Sequence, residues 1–110
     1  MNVDTLSALM RSRGFLLGNF YIRKEILRVM ETRVAVIGII VENGDSVEEL
    51  NQFLHEYGTY IIGRMGIPYR ERKINIISIA IDAPQDVISA LTGKIGRLTG
   101  VSVKTAYSNI

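Results

Sequence analysis

The chain has 110 residues, with 13 Lys and Arg against 11 Asp and Glu, one His and no Cys. This is enough for one globular core but short for two, and the lack of cysteine excludes a disulfide scaffold, a thiolate zinc site, an iron–sulfur cluster and a cysteine nucleophile. The formal charge of +2 comes entirely from residues 1–32, which hold five basic and three acidic side chains; residues 33–110 hold eight of each, so the basic balance is poor support for a nucleic-acid partner.

Residues 1–29 differ from the rest. Val3, Leu6 and Met10 have partial helical spacing, Gly14 and Gly18 interrupt it, and Ile22, Ile26 and Val29 resume it. The segment reads either as an amphipathic helix lying on the domain or on a partner, or as a tail. Met30, directly before the first strong strand, is a candidate natural start. The expected organisation is therefore an extension over 1–29 and a domain over 30–110. No apolar run reaches the roughly 20 residues of a membrane helix and no signal-peptide pattern is present, so a soluble cytoplasmic protein is expected.

Arg33–Val41 is β-branched and too short for a helix, and reads as the first strand. Glu42–Asp45 is turn chemistry. Ser46 and Glu49 form a capping-box pattern, with Asp45 as the competing cap. Val47, Leu50, Phe53, Leu54 and Tyr57 then mark one face of a helix, for which Gly58 is the expected left-handed stop. Thr59–Arg64 reads as a short second strand. Met65–Tyr69 reads as a turn because of Gly66 and Pro68, with Tyr69–Lys73 as a polar arm. Ile74–Ile81 is the third strand. The second helix is expected to start at Asp82-Ala83-Pro84, with Asp82 or Ala83 as cap. It carries Val87, Leu91, Ile95 and Leu98, flanked by Ile88 and Ala90, and Gly93 and Gly96 let it lie close to the sheet. Gly100 ends it, and Val101–Tyr107 is the last strand.

The order β-α-β-β-α-β predicts an α+β, ferredoxin-like sandwich: a four-stranded antiparallel sheet with two helices on one face and the first and third strands central. Both of these strands are apolar on both sides. On the first, Val34, Val36 and Ile40 share one side and Ile37 and Ile39 the other; on the third, Ile77 and Ile79 oppose Ile74 and Ile76. A solvated face would alternate with polar residues, so Val34, Val36, Ile40, Ile74 and Ile76 are the expected oligomer interface of a homodimer or homotetramer. Coverage of that face by residues 1–29 is the alternative.

Chemistry-bearing patterns are sparse. His55 with Glu48 and Gln52 is a partial metal set, outweighed by a solvated helix face. Gly93-Lys94 lacks the rest of a phosphate loop, and no Gly-x-Ser-x-Gly occurs. No enzyme, cofactor or metal is expected. Asn43-Gly44-Asp45, ahead of the first helix, either holds a small anion on free amides or is an ordinary turn. The basic stretch Arg64, Arg70, Arg72 and Lys73 with Tyr69 either meets nucleic acid or an acidic partner, or blunts an exposed hairpin.

Three segments, Thr32–Asn43, Ile62–Arg70 and Leu91–Lys104, together resemble a small bacterial family described as regulators of the iron-only hydrogenase system. That family is in turn similar to ACT domains and to the C-terminal domain of the nickel-responsive repressor. The resemblance covers about Met30 to Ser108. It implies modules that pair through their sheets and bind a small effector near the subunit boundary, with Asn43, Gly44 and Asp45 at the matching loop position. The repressor's His and Cys metal ligands have no counterpart here, and residues 1–29 do not match its DNA-binding domain. The expectation is a non-enzymatic, self-assembling regulatory module with a small-metabolite effector. The alternatives are a purely structural interaction module and, last, a DNA-binding regulator.

Overall fold

A computed structural model describes residues 31–109 of the chain. The expectations for residues 1–29, and for a start at Met30, lie outside the described residues. Four strands, β1 (Thr32–Val41), β2 (Ile61–Tyr69), β3 (Ile74–Pro84) and β4 (Val101–Tyr107), form one antiparallel sheet in the order β2-β3-β1-β4. Two helices, α1 (Val47–Glu56) and α2 (Gln85–Gly96), follow β1 and β3. The central strands are thus the two most continuously apolar segments, as expected. None of the described helices is long and apolar enough to cross a membrane.

The core follows from strand alternation meeting helical periodicity. Ala35, Ile37, Ile39 and Val41 of β1 and Ile77, Ile79, Ile81 and Ala83 of β3 point to one face. There they are sealed by Leu50 and Leu54 of α1 and by Ile88, Leu91 and Ile95 of α2. Val47, Phe53, Tyr57, Val87 and Leu98 close the margins. Ile88 lies at the centre of the α2 stripe, whereas Ala90 is exposed.

The structure departs from the local sequence signals at four places. The segment Met65–Tyr69 is no turn: β2 runs straight through Gly66 and Pro68 to Tyr69. Proline is tolerated because β2 is an edge strand. The hairpin instead closes at Arg70–Arg72, followed by Lys73 in the left-handed region (φ 56°, ψ 40°). Gly58 does not adopt positive φ, and α1 instead tightens into a 3-10 turn over Gly58–Tyr60. Neither Asp82 nor Ala83 caps α2, because β3 continues through Pro84, which occupies the cap position without a side-chain bond. The Ser46 capping box is absent: Ser46 is already helical (φ −85°, ψ −9°) and makes no cap bond.

Surface polar groups tie the layers together. Arg33 of β1 stacks on the Tyr107 ring at 4.3 Å from its centroid and donates to Gln85 Oε1 at 2.8 Å. Gln85 Nε2 in turn donates to the Tyr107 hydroxyl at 2.8 Å. Between the helices, Lys94 pairs with Glu56 at 3.6 Å and lies 5.2 Å from the Tyr57 ring centroid. Tyr57 first, and Glu56 after it, raise the Lys94 pKa above the usual lysine value. The raised pKa keeps Lys94 charged at neutral pH, so its part in the pair is complete there and is lost as pH rises into the strongly alkaline range.

Two glycines give opposite expectations. Gly100 has φ +70°, and a Cβ there would sit 2.7 Å from Asn43 Cβ and 3.0 Å from its backbone nitrogen. Gly100→Ala should destabilise the fold by about 2 kcal/mol or more, since the left-handed backbone alone costs roughly 1–2 kcal/mol. Gly93 is helical, and a Cβ there would meet only the flexible Arg97 side chain at 3.6 Å. Gly93→Ala should therefore stabilise by about 0.5–1 kcal/mol; urea unfolding of the two variants checks both signs.

Candidate functional site: a loop junction and an open apolar sheet face

The segment leaving β1 turns at once. Asn43 Oδ1 accepts from the Asp45 amide at 3.0 Å, and Gly44–Ser46 form a single 3-10 turn that leads into α1. This turn is fastened to the segment entering β4. The Glu42 amide donates to the Gly100 carbonyl at 2.7 Å, and the Ser46 hydroxyl donates to the Thr99 carbonyl at 2.7 Å. Among the described residues Ser46 is the one buried polar side chain, 7% exposed. Its hydroxyl, expected as a helix cap, joins two loops instead.

The three residues expected to hold an effector thus lie together in one turn. Asn43 is half-buried beneath Gly100, while Gly44 and Asp45 are exposed. A Cβ at Gly44 would have nothing within 4 Å, so open space adjoins the turn. Sequence reasoning missed the Thr99–Gly100 side of the junction. A glycine between a helix and a strand is the available signal, but only its place against Asn43, distant in sequence, shows more than a helix stop.

The second feature is the face of the sheet without helices. Val34, Val36 and Ile40, three of the five expected interface residues, are 43%, 47% and 41% exposed there, and Ile76 joins them at 37%. Ile74, half-buried, lies on the same face by alternation. The register then adds β2: Ile67 pairs with Ile76, Met65 with Ser78 and Tyr69 with Ile74, which puts all three β2 side chains on this open face. They were missed because Pro68 suggested a turn, although Met65, Ile67 and Tyr69 alternate as a strand should. On the other flank β4 contributes Ser102, Lys104 and Ala106, opposite Ile40, Gly38 and Val36.

Groups for chemistry do not converge elsewhere in the described residues. His55 lines a shallow open depression on α1 with Glu48, Asn51, Gln52 and Glu56. The described residues contain no cluster of three or more His, Cys, Asp or Glu able to hold a metal. Arg64 reaches across to Asn51 at 2.8 Å. Arg70, Arg72 and Lys73 project from the hairpin turn, all exposed.

The sheet order and the paired helices define an ACT-like, ferredoxin-type α+β module. Residues 33–105 match the TM1266-like family, whose description reads "Iron-only hydrogenase system regulator, putative", and the chain belongs to that family. It is 35% identical to the uncharacterized protein TM1266 from Thermotoga maritima, covering 70% of this chain and 98% of that one with a TM-score of 0.68. The ACT domain of a GTP pyrophosphokinase from Chlorobium tepidum is similar at 20% identity, with 74% and 92% covered and a TM-score of 0.57. A formyltetrahydrofolate deformylase from Pseudomonas putida KT2440 is similar at 12% identity, with 70% and 29% covered and a TM-score of 0.53. The last two likenesses concern the fold alone. No curated protein sequence matches the chain.

The Ser46 bond separates the two readings of the α1 start. Ser46→Ala should cost about 1–2 kcal/mol, the cost of losing a partly buried hydrogen bond. Glu49→Ala should change stability by less than about 0.5 kcal/mol, the range for surface positions without such a feature. In a capping box both substitutions would weaken the helix start, so thermal unfolding of the two variants distinguishes them.

Proposed function

We infer that this chain is a non-enzymatic regulatory module of the iron-only hydrogenase system that assembles with itself through the open face of its sheet. The observation that carries this reading is the run of exposed Val34, Val36, Ile40, Met65, Ile67 and Ile76 on a single face. A face of this kind on a protein of this size is an interaction surface rather than a solvated one. A second copy of the chain is the occupant, because a two-fold axis lets one apolar face cover itself.

A small effector binds beside Gly44, at the junction of the β1–α1 and α2–β4 loops. Support comes from the open space at Gly44 and from the bonds that join this turn to the start of β4. A ligand held there bears on the ends of β1 and β4, both of which contribute to the open face, and so shifts the assembly equilibrium. A second reading, an interaction module without a ligand, is favoured by one observation. The polar atoms best placed to bind, Asn43 Oδ1 and Ser46 Oγ, are already engaged within the junction.

Two measurements test the reading. Light scattering of the full chain should give a dimer or larger species, and Val36→Glu should reduce it to a folded monomer; a monomeric unsubstituted chain would reject self-assembly. In thermal shift with amino acids, nucleotides and carboxylates, a binder should raise the melting temperature, because it stabilises only the folded state. Gly44→Val should abolish that rise. If no compound raises it, the ligand-free module is the better reading.

A further inference from the structure

The open face is mainly apolar on three strands, with Ser78 among them, whereas the fourth carries a charge at its middle. β2, β3 and β1 present Met65, Ile67, Ile76, Val36 and Ile40, whereas β4 presents Ser102, Lys104 and Ala106. Lys104 stands near the middle of β4, opposite Gly38. This asymmetry restricts how two copies can stack. A two-fold axis lying across the strands sets β4 on β4 and brings Lys104 against the partner's Lys104, where like charges repel in a partly desolvated setting. An axis running along β3 sets β3 on β3 and β2 on the partner's β1. The apolar strips then coincide, and β4 with Lys104 is left at the wet rim.

The ends of the strands carry charges that fit the second arrangement. The hairpin turn holds Arg70, Arg72 and Lys73. All three are exposed, none forms an ion pair among the described residues, and Lys73 is held in the left-handed region that disfavours a side chain. At the same end of the sheet β1 leads into exposed Glu42 and Asp45, since Val41 pairs with Val101 and Tyr69 with Ile74 in a sheet antiparallel throughout. Glu42 continues the open-face alternation of Val36 and Ile40.

We propose that two copies stack face to face about an axis along β3, so that the basic hairpin turn of each protomer closes over Glu42 and Asp45 of the other. This rests on the self-assembly proposed above and specifies its geometry. It makes the Gly44 junction a composite site: its own turn comes from one subunit and the cations of the hairpin turn, Arg70 and Lys73, from the partner. An effector beside Gly44 therefore touches both subunits, and a negatively charged one gains the partner's cations that the acidic turn alone does not provide.

The absence of native cysteine makes site-directed cross-linking unambiguous. Facing sheets lie about 10 Å apart, so a short bismaleimide is used instead of a direct disulfide. Glu42→Cys protein mixed with Arg70→Cys protein should give several-fold more cross-linked heterodimer than Asp82→Cys mixed with Arg70→Cys, the pair that the crosswise axis brings together. Lys104→Cys should not link to itself. Preferential linkage of Asp82→Cys, or self-linkage of Lys104→Cys, in a protein that light scattering finds dimeric would overturn this arrangement and leave self-assembly standing. So would a dimer in which no pair links. A monomer in light scattering would remove both.

Discussion

A sheet whose two central strands are apolar on both sides, supplied with helices for only one of them, is the constraint on which the rest of this structure depends. Ile37, Ile39, Ile79 and Ile81 are fully buried beneath α1 and α2. On the reverse side Val34, Val36 and Ile40 remain in water. Burial of apolar area contributes about 25 cal/mol per Å², and a domain of about 80 residues buries a smaller share of its surface than a larger one. The uncovered face is thus both a liability in the isolated subunit and the principal driving force available for association.

The second organising element is the junction between the β1–α1 and α2–β4 loops. Gly100 is pressed against Asn43, and two short bonds, from the Glu42 amide and the Ser46 hydroxyl, hold the loops together. These loops connect the strands of the open face to the helices that cover the other face. Gly44 therefore lies in a turn that is bonded directly to the segment entering β4 and follows the end of β1. The distinctive surfaces of this member of a family described as regulators are an open apolar face and a loop junction.

Most of the architecture was legible in the sequence because it rests on periodicity. The β-branched runs of β1 and β3, the stripe of Leu50 and Leu54 and that of Leu91 and Ile95 each specify both an element and its buried side. Alternation also grouped Val34, Val36 and Ile40 on one side of β1 and Ile74 and Ile76 on one side of β3. What was not legible depended on neighbours distant in sequence. Pro68 signals a turn until one knows that β2 is an edge strand, and this hid Met65 and Ile67 from the open face. Ser46 fits a capping box until Thr99, 53 residues away, takes its hydroxyl. The Arg33–Gln85–Tyr107 cluster left no local trace, since its members come from three separate elements.

The claim at the centre of this account is that the open face is covered by another copy of the chain. Sedimentation equilibrium of the 110-residue chain over a dilution series tests it most directly. Self-assembly through this face predicts reversible association into a dimer or a multiple of it, with the monomer emerging only on dilution. A single monomeric species across the whole concentration range would contradict it.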